Sequence, residues 1–364
     1  MKLNRSKGNI KIMIAGGGTG GHLYPALAIA EHARDAIGAE VLFVGTRAGI
    51  EARVIPEKGF SIYYIKIGSL ARESLLRKLT SLIAIPLALL HSVFLLLKLR
   101  PNVVLGVGGY ASGPTLLMAS FLGFPCALWD SNAHPGKTNR ILSRFVRHAF
   151  LYFQRSGEFL SSPHKYFFGV PLRKAMKPKV RTPSPEMHLL IFGGSQGARP
   201  LNEIALRAFS EPDQSWNDGA RVVLQTGKLD YQKVYNGLKD HPRVKVHQFL
   251  DPMSDYYDWA DLVICRAGAG TVGELAMCQK PAIFVPLPTA ADDHQKKNAQ
   301  EVVKVGAAEM IEQRDFSPES IKSLIRKWKS QKEHFDEMGQ RFSRFAFPQA
   351  AEDIVLKLVE IAKK

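Results

Sequence analysis

The sequence predicts an α/β protein made of two doubly wound parallel-sheet domains in tandem, on three observations. Short apolar runs alternate with longer helical patterns, as when strands are joined through crossover helices onto one sheet. A strand, glycine turn and helix open the chain at KIMIAGGGTGGHLYPALAIA (11–30), and the same plan restarts at HLLIFGGSQGARPLNEIALRAF (188–209). A polar, proline-rich stretch over 171–185 separates the halves. The expected domains are 8–168 and 172–345, with the boundary near Gly169 to Arg173 and a last helix, 346–364, able to pack on either. Two Rossmann-like sheets of this kind are expected to face a common cleft at the carboxyl ends of their strands, where ligands of such sheets bind.

In the first half, strands are expected at Lys11–Ala15, Val41–Val44, Ile62–Ile67, Val103–Val107, Cys126–Trp129 and Ala149–Tyr152. In the second they are expected at His188–Phe192, Arg221–Gln225, Val244–Phe249, Leu262–Cys265 and Ala282–Val285. These runs are apolar with little polar alternation, as in strands covered on both faces. A chain of 364 residues with 46% hydrophobic content suffices for two such cores.

Lys and Arg number 49 against 33 Asp and Glu, a formal charge of +16 that calls for an anionic partner: nucleic acid, phosphorylated metabolites or an acidic membrane surface. Zinc-finger spacing, an RNA-binding aromatic signature and a long basic block are all missing, which argues against nucleic acid. Cys126, Cys265 and Cys278 stand apart in apolar contexts and read as reduced thiols. The N-terminal MKLNRSKGNI lacks the apolar run of a secretory signal, which predicts a cytoplasmic chain. Leu82 to Leu97, LIAIPLALLHSVFLLL, is strongly apolar but shorter than the ~20 residues that span a bilayer. Arg72, Arg77, Lys78, Lys98 and Arg100 flank it, so it reads either as a helix resting among anionic headgroups or as a buried core helix. Aspartates at Leu95 and Leu96 should separate the two readings: lost liposome binding in a folded protein, or insolubility.

Gly16, Gly18 and Gly21 satisfy G-x-G-x-x-G, the spacing of a dinucleotide-binding turn. That reading wants an acid at the end of the second strand to hold a ribose, and VLFVGTR supplies Gly45, Thr46 and Arg47 instead. An oxidoreductase is disfavoured, with Arg47 leaving only the 2′-phosphate variant open. His22 follows the turn; an imidazole of pKa ~6.5 can accept a proton near neutrality, though a helix-start histidine can equally hold a structural hydrogen bond. LGVGGYASGP (105–114) is a further glycine turn, displaying Tyr110. In GGSQGAR (193–199), Ser195 and neighbouring N–H groups suit a diphosphate at a helix start.

The strongest cluster is CRAGAGTVGELA (265–276). Small residues from Ala269 through Gly270, Thr271, Val272 and Gly273 bring backbone donors near a ligand. Glu274, about one helical turn past Thr271, can accept two ribose hydroxyls, or serve in an N-terminal box. In FVPLPTAADDHQKKNA (284–299), Asp292, Asp293 and His294 look like metal ligands, but no second cluster stands at metal spacing. The reading adopted is that Gln295, Asn298 and His294 bond sugar hydroxyls. No metal and no cofactor are expected.

GGGTGGHLYPALAIA, GVGGYASGP, GGSQGAR, CRAGAGTVGE and ADDHQKKNA, in this order and nearly end to end, resemble the MurG family of peptidoglycan N-acetylglucosaminyltransferases. The resemblance implies GT-B architecture. It implies inverting, metal-independent transfer of N-acetylglucosamine from UDP-N-acetylglucosamine to the 4-hydroxyl of the muramyl sugar of undecaprenyl-diphosphoryl-N-acetylmuramoyl-pentapeptide. The place implied is the cytoplasmic face of the cell membrane, peripherally, with other cell-wall synthesis proteins as further partners. By motif, Thr19, Gly20 and Gly21 would line phosphates and His22 would be the base. Arg173 and Ser195 would face the donor diphosphate together with the helix start near Ala269. Leu250 would sit against uracil, Glu274 on the ribose, Gln295 on the donor sugar and Asn132 on a sugar. The chain departs from the family where Trp129-Asp130-Ser131-Asn132 replaces His-Glu-Gln-Asn, which questions an acid/base role at Asp130; Val170 replaces an Asn, and Gly270 a larger residue. Rival readings are a same-fold transferase acting on another lipid such as diacylglycerol, and a non-catalytic nucleotide-sugar-binding subunit. The latter would carry only one of the two glycine-rich domains.

Overall fold

The computed structural model describes residues 10–67, 75–172, 186–211, 215 and 219–363. The chain divides into two compact units, Met1–Arg173 with Phe347–Lys364, and Lys174–Ala346. The first contains β1 (Lys11–Ala15), α1 (Gly20–Ile37), β2 (Glu40–Gly45), α2 (Glu51–Glu57), β3 (Ser61–Tyr64), α3 (Leu75–Leu99), β4 (Val103–Gly106), α4 (Ser112–Phe121), β5 (Cys126–Asp130), α5 (Lys137–Leu142), β6 (His148–Leu151) and β7 (His164–Phe167). Its strands lie in the order β3-β2-β1-β4-β5-β6-β7, every pair parallel.

The second unit contains β8 (Met187–Phe192), α6 (Arg199–Phe209), β9 (Ala220–Gln225), α7 (Tyr231–Leu238), β10 (Val244–His247), α8 (Met253–Trp259), β11 (Leu262–Cys265), α9 (Ala269–Cys278), β12 (Ala282–Phe284), α10 (His294–Lys304), β13 (Ala308–Met310), α11 (Pro318–Ser330) and α12 (Lys332–Phe342). Its sheet is also parallel, in the order β10-β9-β8-β11-β12-β13. The final helix, α13 (Ala350–Ala362), returns to the first unit, packing on α1 and burying Ile354, Val355 and Leu358.

Both sheets are the doubly wound α/β architecture that the alternating pattern predicts. Ile12, Met13, Ile14 and Ala15 of β1 are wholly buried, as are Leu189, Leu190 and Ile191 of β8. Neighbours on both faces explain why these runs show no polar alternation. Truncating one of the larger side chains to alanine would cost about 2–5 kcal/mol.

Two strands carried no signal. β7 reads HKYF with three of four residues exposed, and β13 is three residues long. Both are edge strands, and a short, partly wet edge has no apolar run to reveal it. β10 ends at His247 rather than at Phe249, which is 60% exposed.

Helix α3 carries the 82–97 stretch, with a buried and an exposed row of side chains. Ala88, Ser92, Leu95 and Leu96 are buried, whereas Leu87, Leu90, Phe94 and Leu97 are 54–67% exposed. The helix is apolar on both faces: one packs on the core and the other faces outward. Leu95 and Leu96 are therefore core residues, and the aspartate test belongs on the exposed row instead. Arg72 and the side chains of Arg77 and Lys78 lie outside the described residues. Among the described residues, no helix is long and apolar enough to cross a membrane.

Candidate functional site

In the first unit, β1 lies beside β4 with Ala15 opposite Gly106, so the turns after these strands leave the sheet together where the strand order reverses. Gly17 N–H donates to Gly108 O at 3.2 Å, and Gly16 N–H to Val44 O at 2.9 Å. A Cβ on Gly16 would lie 2.2 Å from Gly108 O, and one on Gly109 would lie 2.4 Å from Gly17 O. These backbones interlock only as glycines. The glycines of LGVGGYASGP thus serve close packing, and the packing also places a side chain: a Cβ on Gly108 would fall 2.8 Å from His22 Nδ1. The imidazole thus lies along the second turn, half-buried, in the first turn of α1. Thr19 caps α1 with extended backbone and is exposed like Gly21; Gly20 is half-buried, and Tyr110 is 46% exposed on the second turn.

Two acids support this surface. Glu51, at the start of α2, is buried, and its carboxylate accepts from Gly18 N–H (2.7 Å), Thr46 N–H (3.0 Å) and Thr46 Oγ1 (2.9 Å). Asp130, also buried, accepts from Asn132 N–H (2.9 Å), Gly136 N–H (3.2 Å) and Asn139 Nδ2 (2.9 Å). The shortened acid of the Trp-Asp-Ser-Asn string holds the turn that presents half-buried Asn132.

In the second unit, Phe192 at the end of β8 pairs with Cys265 at the end of β11, so GGSQGAR and CRAGAG also leave the sheet side by side. Gly197 packs against the loop after β9: a Cβ there would lie 1.9 Å from Thr226 O, and one on Gly227 2.3 Å from Gln196 O. The Gln225 amide donates to Gly194 O at 3.2 Å. Ser195 is exposed on this turn. The first turn of α9 leaves backbone donors without partners inside the helix. A side chain at Gly270 would meet open space, so the missing larger residue leaves room and no strain.

Glu274 Oε2 accepts the Tyr257 hydroxyl at 2.8 Å. Tyr257 is wholly buried, and burial followed by the charge of Glu274 pushes its phenol well above the ordinary range. It therefore stays a donor and fixes one carboxylate oxygen. Nothing in MSDYYDW distinguishes Tyr257 from Tyr256; the pairing is a tertiary contact.

Several of the expected site residues are buried or bonded within the protein. Leu250 is 4% exposed, so its side chain packs inward. Val272 is wholly buried and Ala269 and Gly273 are buried, so these residues offer backbone. Asn298 is also wholly buried, donating to Ala267 O at 3.2 Å; it supports the 265–268 turn from behind. Gln295 Oε1 accepts Leu287 N–H at 3.0 Å, and His294 Nδ1 lies 2.8 Å from Ala291 O. Asp292 and Asp293 both take left-handed backbone, which short polar residues tolerate. Among the described residues, no three His, Cys, Asp or Glu side chains group as a metal site. Arg266, 6% exposed, donates to Val285 O (2.8 Å), Pro286 O (3.1 Å) and Gln313 Oε1 (2.6 Å), tying the loop before α10 to the turn before α9. Burial lowers its guanidinium to about 10, leaving it charged at neutrality. The three cysteines are buried thiols, Cys126 pushed up to about 12 by burial. Arg173 lies outside the described residues.

The Glycosyltransferase family 28 N-terminal domain matches residues 12–151, and its C-terminal domain matches residues 188–354. Two relatives are named UDP-N-acetylglucosamine--N-acetylmuramyl-(pentapeptide) pyrophosphoryl-undecaprenol N-acetylglucosamine transferase. The protein from Anaeromyxobacter sp. (strain Fw109-5) is 42% identical over 98% of this chain and 94% of its own, and that from Bdellovibrio bacteriovorus is 40% identical over 96% and 98%. The crystal structure of Acinetobacter baumannii MurG superposes with a TM-score of 0.78 at 31% identity, covering 96% of this chain and 99% of that one. Two parallel α/β domains, full-length identity and this structural match place the chain in glycosyltransferase family 28, as a member of the MurG family.

Proposed function

We propose that the chain transfers N-acetylglucosamine from UDP-N-acetylglucosamine to the 4-hydroxyl of the muramyl sugar of undecaprenyl-diphosphoryl-N-acetylmuramoyl-pentapeptide, with inversion. The observation that carries this reading is the near end-to-end identity to relatives named for that transfer. The donor belongs to the second unit. Glu274 takes the ribose hydroxyls, with Tyr257 fixing its orientation. Ser195, the N-terminus of α9 and Arg173 face the diphosphate, and Gln295 the sugar. The uracil meets the peptide edge at Leu250.

The acceptor belongs to the first unit, its phosphates along Thr19, Gly20 and Gly21, with Tyr110 and Asn132 near its sugar. In the transfer, the acceptor oxygen forms its bond to the anomeric carbon, the bond from that carbon to the diphosphate oxygen breaks, and His22 takes the acceptor proton. Backbone dipoles and Arg173 stabilise the charge that develops on the leaving UDP, a role a divalent ion fills elsewhere.

The chain works at the cytoplasmic face of the membrane, attached peripherally. The exposed row Leu87, Leu90, Phe94 and Leu97 is supported by a second exposed pair, Phe121 and Phe145, with ring centroids 5.5 Å apart. Apolar side chains beside cations suit the headgroup layer, and the chain carries a formal +16.

The deciding assay offers the purified protein radiolabelled UDP-N-acetylglucosamine with either the muramyl-pentapeptide lipid or diacylglycerol, each with and without EDTA. Label should enter the muramyl lipid alone, at a rate EDTA leaves unchanged. Label entering only diacylglycerol overturns the reading.

A further inference from the structure

The N-terminal glycine turn already holds an anion. Glu51 is 1% exposed, and its carboxylate reaches under the turn to Gly18 N–H at 2.7 Å while also accepting both donors of Thr46. Three glycines make room for it: a Cβ would fall 2.6 Å from Glu51 Cδ at Gly17, 2.7 Å from Cγ at Gly45 and 2.0 Å from Oε2 at Gly49. Gly17 and Gly18 both hold positive φ, 141° and 86°, a backbone conformation that favours glycine. Backbone N–H groups of such a turn are the usual seat of a nucleotide phosphate. Here one of those donors, Gly18 N–H, is taken by the protein's own carboxylate.

We infer that Glu51 is the positioning residue of the acceptor-side turn. Its carboxylate locks Gly16–Gly18, and through them the N-terminus of α1 with Thr19 and His22. The inference rests on the acceptor-side reading of this turn. The same acid agrees with the sequence argument against a dinucleotide: it starts α2, past the end of the second strand, and bonds Thr46 and Gly18.

The test compares wild type with Glu51→Gln and Glu51→Ala. Glutamine keeps the volume but turns an NH2 toward N–H donors, and alanine empties the seat. Turnover should fall about 10- to 100-fold in each while UDP affinity stays within about twofold, and sodium formate, but not sodium chloride, should restore part of the turnover of Glu51→Ala. In amide hydrogen exchange, which needs no substrate, Glu51→Gln should speed exchange over residues 16–22 at least tenfold and leave 193–199 unchanged. Unchanged exchange over 16–22, or parallel losses of turnover and UDP affinity in a folded variant, overturns the inference. If neither variant folds, Thr46→Val, which removes one donor to the carboxylate, decides by the same exchange measurement. Wild-type protein that fails to label the muramyl lipid counts against the proposed function, whereas the exchange result bears on Glu51 alone.

Discussion

The turn at 16–22 has a carboxylate beneath it, and the turn at 193–199 has an amide. Both leave the first strand of a doubly wound sheet and open a helix, and both are gripped by a second loop at contacts only glycine allows. The supporting residue comes in each case from the region of the second strand: Glu51, just past β2, bonds Gly18 N–H, and Gln225, at the end of β9, bonds Gly194 O. A buried carboxylate consumes a donor of the turn above it. An amide bonded to a carbonyl consumes no N–H and adds no charge. One sequence plan thus yields a turn that presents an imidazole and another that presents an exposed serine, each on a different support.

The sharpest break between the turns is chemical. Replacing His22 by alanine should lower turnover about 10²- to 10⁴-fold, the usual contribution of a general base, with UDP affinity unchanged by calorimetry. Near-normal turnover would remove His22 from proton transfer and leave it a packing partner of Gly108. Glu274→Ala should act on the other side of the comparison, weakening UDP by roughly 10- to 100-fold, since hydrogen bonds to a charged group are worth about 1.5–3 kcal/mol. The same variant should lose its preference for UDP over 2′,3′-dideoxy-UDP. UDP affinity equal to wild type would contradict the ribose assignment.

How far the sequence disclosed these devices follows from the range of the contacts involved. Strand, glycine turn and helix are local patterns, so both turns, the restart at 188 and most strands were legible from periodicity and glycine spacing. Glu51 and Tyr257 were not, because Gly18 and Glu274 are 33 and 17 residues away and meet them only once the sheets form. Asn298 and Gln295 stood in the right motif, but only burial separates a ligand contact from a support for the turn behind it. In α3 the apolar content was plain, yet its two faces could be told apart only by what packs on Leu95 and Leu96.

A steric pair of variants asks whether the turns act independently. Gly16→Ala would press a methyl on Gly108 O, and Gly197→Ala would press one on Thr226 O. Backbone strain of about 1–3 kcal/mol in each corresponds to roughly 5- to 150-fold. The first should reduce turnover and spare UDP affinity, and the second should reduce UDP affinity in equilibrium titration. Equal effects of both variants on both measurements would mean that the turns are general supports of the fold rather than two separate ligand surfaces.

The smallest effect is expected at Ser195, and it probes what the open turn offers. Its hydroxyl is exposed, so a hydrogen bond to a phosphate oxygen competes with water and its loss should weaken UDP only about 3- to 10-fold. The backbone donors of the turn and of α9 remain in Ser195→Ala, which bounds the loss from above. With the hydroxyl on phosphate as proposed, uridine affinity should be unchanged in the same titration, and the whole difference should fall on the diphosphate. Uridine and UDP weakened alike would mean that Ser195 shapes the turn instead of touching the ligand, and the charge-free support beneath 193–199 would then matter through geometry alone.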